Sequence, residues 1–123
     1  MWPSDRLTSL FGTELPLIQA PMAGSQDAAL AIEVSKAGGL GSLPCAMLTP
    51  QQIRDQVGQL RRETDRPFNL NFFCHTPPKD DPAAQAAWKT TLTPYYHEMG
   101  LDPASEVPFA NRAPFDEHIC ALV

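Results

Sequence analysis

The residues that could bind a ligand lie in three short segments, each of which follows an apolar run. They occupy residues 21–24, 45–48 and 71–75. Methionine and small residues dominate the first two segments, and such residues form a shallow apolar surface on which a flat molecule can pack. Gly24 has no side chain, so the backbone there can approach a ligand closely. This composition predicts a binding site for a planar ring system.

The third segment adds the carboxamides of two asparagines to this apolar surface. Side chains alternate along a strand, so residues 69, 71 and 73 are predicted to lie on one face and residues 68, 70 and 72 on the other. A buried carboxamide without a partner costs about 1–3 kcal/mol, so Asn69 and Asn71 need partners in the protein or in a ligand. For Asn69, the hydrogen-bond partner could be neighbouring backbone or a ligand, and both interpretations stay open. Asn71 is nearer the strand end, and we expect it to bind the ligand.

The other reactive side chains have simpler interpretations. His75 follows the third strand, and we expect it to face solvent or support the site rather than act as a general base. The three cysteines match neither a metal-binding spacing nor a disulfide framework, and no metal site is predicted. They are expected to be reduced packing residues, with a reactive Cys45 or Cys74 as the minor alternative.

Three apolar runs are predicted to be the strands that position these segments. They cover residues 15–20, 40–45 and 68–73. A short helix or irregular arm over residues 4–10, ended by Gly12, precedes the first strand. Strands that alternate with helices indicate an α/β fold with parallel strands, whose ligand site lies at the carboxyl ends of the strands.

Helix signals separate the predicted strands. Asp27 can cap a first helix, and the left-handed conformation of Gly38 can end it. The GGLG run there follows a helix and precedes a strand, the reverse of a dinucleotide fingerprint, so packing is its expected role. Thr49, Pro50 and Gln52 have the spacing of a capping box at the start of a second helix. Apolar residues follow helical spacing on the first helix, at Leu30, Ala31, Val34 and Ala37. On the second helix, Ile53, Val57 and Leu60 are expected to form one buried stripe.

The last third of the chain is predicted to be less regular. Pro82 opens an Ala-rich helix that Pro94 should kink or restart, and Gly100 should end it. Residues 101–114 are predicted to be irregular, and helical spacing resumes at residue 115. We interpret this pattern as a sequence that stops inside a helix. The prediction is therefore that residues 1–123 are an incomplete N-terminal part of a domain, with the remainder beyond Val123.

Composition excludes several classes of partner. The chain has 123 residues and a formal net charge of −5, and no cluster of basic residues exceeds the pair at 61–62. Nucleic acid and anionic membrane surfaces need a basic patch, so neither is an expected partner. The opening residues MWPSDRLTSL lack the basic and apolar regions of a secretory leader, and no apolar run reaches about 18 residues, so a cytoplasmic location is expected.

Three ordered blocks give the chain a family resemblance. PLIQAPMAGS at 16–25, EVSKAGGLGSLPCAMLTPQQI at 33–53 and RPFNLNFFCH at 66–75 resemble the nitronate monooxygenases, formerly called 2-nitropropane dioxygenases. The similarity is to their bacterial class I branch and extends from about residue 7 to residue 123. Three blocks in the right order and spacing are far more specific than a single glycine-rich motif.

The resemblance implies an FMN-dependent (β/α)8 TIM barrel, of which this chain would hold about three βα units. It implies oxidation of alkyl nitronates, such as propionate 3-nitronate, by O2 to a carbonyl compound plus nitrite or nitrate, and a possible homo-oligomer. The family's catalytic histidine and phosphate-binding loops match no residue here and are expected beyond Val123, so the chain alone is expected to be inactive. The cofactor-binding residues implied by the resemblance are Ala20, Pro21, Met22, Ala23, Gly24 and Asn71.

Two other functions stay open. A flavin-dependent enoyl-acyl-carrier-protein reductase would share the fold and the AGGLG block and would consume NAD(P)H. Those enzymes tend to have Gly-Gly-Met where this chain has Ala20-Pro21-Met22. The other alternative is a non-catalytic binding or assembly module.

Overall fold

The computed structural model describes residues 2–106 and 112–123. The chain forms two units, one made of Met1–His75 with Arg112–Val123 and the other of Thr76–Asn111. The elements in chain order are α1 (Arg6–Phe11), α2 (Ala28–Lys36), β1 (Gly41–Pro44), α3 (Pro50–Glu63), β2 (Phe68–Asn71), α4 (Pro82–Glu98) and α5 (Glu117–Cys120).

The sheet of the first unit is small and parallel. β1 and β2 pair in register from Gly41 opposite Phe68 to Pro44 opposite Asn71. α3 connects them, and such a crossover is what a parallel pair requires. The chain is therefore α/β with a parallel sheet, as the alternation of strands and helices predicts.

The first predicted strand, residues 15–20, is reduced to a single bridge between Ile18 and Leu40. The Leu40 amide donates to the Leu17 carbonyl at 2.8 Å, and the Gln19 amide donates to the Leu40 carbonyl at 3.0 Å. The next donor in a parallel ladder would be the amide of Pro21, and proline has none. The ladder stops for that reason, although the bridge is parallel as expected.

α2 begins at its predicted cap, but of the four apolar positions at helical spacing only Ala31 is fully buried, and Val34 is half-buried. The Asp27 carboxylate accepts from the Ala29 amide at 3.0 Å. Leu30 is 41% exposed, and Ala37 is exposed as well. The residues that α2 buries are Ala28, Ala31, Ile32 and Ser35.

The close approach of α2 to β1 explains this pattern of burial. A Cβ on Gly41 would collide with the Ala31 carbonyl oxygen and the Ser35 hydroxyl. That hydroxyl accepts from the Gly41 amide at 3.2 Å and donates to the Pro67 carbonyl at 3.1 Å. The residues that face Gly41 at this distance, Ala31 and Ser35, are therefore small, whereas Leu30 is exposed. The packing role predicted for the GGLG run is confirmed.

α3 is as predicted at its start and on its buried face. Thr49 and Gln52 form a reciprocal capping box with Pro50 in the first turn. Arg61 and Arg62 lie in the last turn, where cations complement the helix dipole. The core of the unit lies between the helices and one face of the sheet, and its buried members are Ala28, Ala31, Ile32, Leu43, Cys45, Ile53, Val57 and Leu60.

The unit Thr76–Asn111 contains α4. The Asp81 carboxylate caps it by accepting from the Ala84 amide at 2.9 Å, and Gly100, with φ of 68°, follows its end as predicted. The helix is continuous through Pro94, so the predicted restart is not observed. Residues 101–106 form no helix or strand, and residues 107–111 of the predicted irregular stretch lie outside the described residues.

The predicted last helix is only one turn long. α5 covers Glu117–Cys120, with the Asp116 carboxylate accepting from the Ile119 amide at 2.8 Å. The prediction that the sequence stops inside a helix is wrong, because α5 ends at Cys120 with Ala121 as its C-cap. Ile119, Leu122 and Val123 nevertheless pack against the core. No helix in the described parts of the chain is both long and apolar enough to cross a membrane.

Candidate functional site

The three candidate segments leave the sheet at one edge. β1 and β2 are parallel, and the Cys45 amide donates to the Asn71 carbonyl at 2.9 Å, so the chain leaves both strands side by side. The bridge at Ile18 is parallel to β1 as well. Residues 21–24, 45–48 and 71–75 therefore begin at the carboxyl ends of neighbouring parallel segments, where α/β proteins place their ligand sites.

The first segment forms an exposed turn. The Ser25 amide donates to the Met22 carbonyl at 3.1 Å, and Gly24 has a φ of 80°. Such a φ at the third position of a turn favours glycine, and a Cβ there would meet nothing within 4 Å. Met22 is 47% exposed. The other residues implied as cofactor contacts, Ala20, Pro21, Ala23 and Gly24, are exposed except for half-buried Pro21.

The second segment combines a buried thiol with an exposed methionine. The Leu48 amide closes a turn by donating to the Cys45 carbonyl at 3.0 Å, and Met47 is 52% exposed. Cys45 is buried, and its Sγ donates to the Leu43 carbonyl at 3.6 Å. Burial raises the pKa of the Cys45 thiol to about 11, against the lowering effect of the backbone bond with Asn71. Cys45 is thus a protonated packing residue rather than a nucleophile.

The third segment presents an uncharged amide at the edge. Asn69 Nδ2 donates to the Ser42 hydroxyl at 3.3 Å, while Phe68 and Leu70 pack on the helix-covered face. The predicted alternation is therefore confirmed, and Asn69 has a protein partner. Asn71 shares the face of Asn69 and is half-buried, and its carboxamide bonds to no other residue in the described parts of the chain.

His75 lies just beyond this edge and is exposed. Its ring meets that of Phe73 edge-on, with centroids 5.9 Å apart. Cys74 beside it is exposed too. Within residues 2–106 and 112–123, no group of three or more His, Cys, Asp or Glu side chains could hold a metal ion.

Sequence analysis missed a polar cluster beneath the first segment. Gln19 Nε2 donates to the Ser42 carbonyl at 3.2 Å, and Gln19 Oε1 accepts from the Ser42 amide at 3.1 Å. Gln26 Nε2 donates to the same carbonyl at 2.7 Å. The one local signal for this cluster is Pro21, because it leaves the Ser42 carbonyl without its ladder donor.

Comparison with known proteins gives a consistent family. The model of the nitronate monooxygenase family matches residues 4–113. A nitronate monooxygenase of Pseudomonas aeruginosa is 45% identical over 81% of this chain and 28% of its own length. A probable nitronate monooxygenase of Staphylococcus aureus is 32% identical over 100% of this chain and 34% of its own length.

Solved structures add two similar proteins. A nitroalkane oxidase from Streptomyces ansochromogenes superposes with a TM-score of 0.59 and 33% identity, covering 79% of this chain and 27% of that one. FabK from Thermotoga maritima gives a TM-score of 0.55 and 30% identity over 78% of this chain and 28% of its own. Both are TIM-barrel-type proteins.

The chain spans about a third or less of the length of the curated relatives that it matches. The match nevertheless includes all three segments at the sheet edge, since they lie within residues 4–113. The chain belongs to the nitronate monooxygenase family.

Proposed function

We propose that the protein containing this chain oxidises alkyl nitronates, such as propionate 3-nitronate, with O2 and an FMN cofactor. The products would be a carbonyl compound and nitrite or nitrate. The observation that carries this proposal is the family match over residues 4–113. The chain would supply about three βα units of a (β/α)8 barrel, which is consistent with its parallel sheet and its similarity to the Streptomyces nitroalkane oxidase.

The residues at the sheet edge fit the ring system of a flavin. The Asn71 carboxamide is half-buried and unpaired among the described residues, and it can donate to a ring carbonyl or nitrogen or accept from a ring N–H. It would fix the orientation of the ring without adding charge. Exposed Met22 would offer an apolar surface beside it. FMN, when bound, would supply the redox chemistry by accepting an electron from the nitronate.

The chain's own residues would bind and orient the cofactor rather than transfer protons. Ala20, Pro21, Met22, Ala23 and Gly24 would run along the flavin, with Asn71 bonded to it. The exposed position of His75 supports the view that it is not the general base, whose place is expected in the part of the barrel beyond residue 123.

The test is turnover by the purified full-length protein. We expect O2 consumption with propionate 3-nitronate and no nicotinamide present, and we expect bound FMN in the absorption spectrum. The neutral nitro form of the same compound is the matched control, because it lacks the anionic carbon that is oxidised. Strict dependence on NADH would reject the proposal.

That outcome would support the second candidate, a flavin-dependent enoyl-acyl-carrier-protein reductase. The AGGLG block favours it, and here this block packs α2 against β1. Because the block has a structural role in this chain, it discriminates weakly between the two enzymes. The Ala20-Pro21-Met22 triplet argues for nitronate oxidation.

A further inference from the structure

Two glutamine side chains hold the two ends of the segment that contains the first candidate residues. Gln19 precedes residues 20–25 and Gln26 follows them, and both amides donate to the carbonyl of Ser42. Ser42 is fully buried in β1. We call Gln19 and Gln26 the glutamine clamp.

The clamp replaces the backbone pairing that proline removes. In a parallel ladder, the Ser42 amide would donate to the backbone of residue 19, and the Ser42 carbonyl would accept from residue 21. Pro21 has no N–H to give. The Gln19 carboxamide makes both bonds instead, accepting from the Ser42 amide at 3.1 Å and donating to its carbonyl at 3.2 Å. The chain is thereby held beside β1 while its backbone is free to leave the sheet.

Gln26 fixes the other end with a single well-defined bond. Its Nε2 lies 2.7 Å from the Ser42 carbonyl, whereas its Oε1 is buried and has no partner among the described residues. Reversing the amide would place two oxygens together and leave a donor unpaired, so the donor must face Ser42. Between the two ends, the Ser25 amide closes the turn onto the Met22 carbonyl.

We propose that Gln19 and Gln26 are positioning residues that fix residues 20–25 for cofactor binding. The inference rests on the proposed function for the identity of the cofactor, FMN. Neither glutamine needs to contact the flavin, because the clamp acts through the Ser42 backbone. Without it, residues 20–25 sample many conformations, and ordering them on binding weakens the affinity for the flavin.

The clamp has a chemical signature that ordinary packing lacks. A glutamate at position 26 can donate to the Ser42 carbonyl only when protonated, whereas the ionised carboxylate repels that oxygen. Among the described residues, the side chains that bond to Ser42 are uncharged: Gln19, Gln26 and Asn69. The nearest ionisable side chain along the chain is Asp27, whose carboxylate caps α2 at Ala29. A pH response at Ser25 in Gln26→Glu would therefore come from the new carboxyl.

The experiment measures amide hydrogen exchange in the full-length protein, with and without FMN, for Gln19→Met, Gln26→Met and Gln26→Glu. Gln59→Met and Gln59→Glu are the controls, because Gln59 is exposed on α3. We expect protection of the Ser25 amide to fall about tenfold in both clamp Met variants and to stay unchanged in the control. The Ser42 amide should lose protection in Gln19→Met only.

Burial of the Gln26 Oε1 position disfavours the charged carboxylate there and should raise the pKa of a glutamate at position 26. Gln26→Glu should therefore keep more protection of the Ser25 amide at pH 5 than at pH 8, while Gln59→Glu should show no such change. The FMN dissociation constant should rise about tenfold in the clamp Met variants. Because Gln26→Glu is compared with itself at two pH values, it remains informative if a Met variant fails to fold. Unchanged Ser25 protection, or a pH-independent Gln26→Glu, would overturn the proposal. If the wild type binds no FMN, the proposed function is contradicted. The protection data from flavin-free protein still test the role of the glutamine clamp in that case.

Discussion

At the scale of single residues, the absence of a side chain at Gly41 decides how closely α2 approaches the sheet. A Cβ at this position would overlap the Ala31 carbonyl oxygen and the Ser35 hydroxyl. Ser35 links the Gly41 amide to the Pro67 carbonyl, so this one contact joins α2, β1 and the entry to β2. The distance between α2 and the sheet therefore depends on residue 41 having no side chain.

Gly41→Ala should destabilise the protein by about 1–3 kcal/mol or more, because the methyl group must displace backbone rather than a flexible side chain. Gly58→Ala is the matched control on α3. Its new Cβ would meet only the end of the Arg62 side chain at 3.3 Å, so the helix should gain about 0.5–1 kcal/mol. Urea unfolding of the full-length variants gives both free energies. Equal effects of the two changes would contradict the packing role of Gly41.

Burial of the Cys45 thiol predicts a loss of stability at high pH. Its pKa rises from 9.0 to about 11 in the folded protein, so between these values the unfolded chain releases a proton that the folded chain retains. Stability linked to this group is complete below pH 9 and falls as the pH rises through about 11. The total loss is about 3 kcal/mol, since each pKa unit corresponds to roughly 1.4 kcal/mol.

The measurement is the free energy of unfolding under reducing conditions at pH 8 and pH 10.5, with Cys45→Ala as the reference. The wild type should lose more stability than Cys45→Ala over this range, because only the wild type carries the titrating thiol. Parallel pH dependence in the two proteins would show that Cys45 ionises as easily when folded as when unfolded.

At the scale of elements, local signals were predictable and contacts between distant residues were not. The capping box at Thr49 needs only four neighbouring residues, and the structure contains it. The apolar spacing of α2 indicated its buried face only in part. Ala31 is buried, but Leu30 is exposed although it is more apolar than Ala28 or Ser35, because only small residues fit beside Gly41.

The candidate site was likewise predictable in its local features and not in its long-range contacts. The sequence indicates a βαβ pattern, and this pattern predicts that the three segments lie at one edge of the sheet. The end of the first strand at Pro21 and the bonds from Gln19 and Gln26 to Ser42 depend on which chain segments meet, 16 to 23 residues apart. The apolar run at residues 15–20 contains no pattern that predicts a side chain in place of a backbone ladder bond.

The capping box predicts a measurable contribution to the stability of α3. Thr49→Ala removes the hydroxyl that accepts from the Gln52 amide at 3.3 Å and should cost about 1 kcal/mol. Gln51→Ala is the control, because it loses only the exposed bond to Asp55 and should cost a few tenths of a kcal/mol. Chemical unfolding of both variants tests this, and an equal cost would rule out a specific role for the cap.

At the scale of the whole chain, the parallel sheet has only two strands among the described residues. The outer edge of β1 is joined only by the bridge at Ile18 and by the Gln19 side chain. β2 pairs with β1 alone, and Leu17 and Ile18 are 52% and 50% exposed on the other side. Unpaired strand edges next to exposed apolar residues are sites where chains associate. In a (β/α)8 barrel, further strands would cover both edges.

We therefore expect residues 1–123, produced alone, to associate at micromolar concentration, whereas the full-length protein should form a discrete species. Ile18→Lys should reduce association by placing a charge at the exposed edge. Leu10→Lys is the control, because Leu10 is 70% exposed on α1 and takes no part in the sheet. Sedimentation velocity distinguishes these cases. If residues 1–123 form a colourless monomer that unfolds cooperatively, the barrel proposal is contradicted and an independent binding module is favoured. Such a result would mean that the sheet edges need no further strands to be stable.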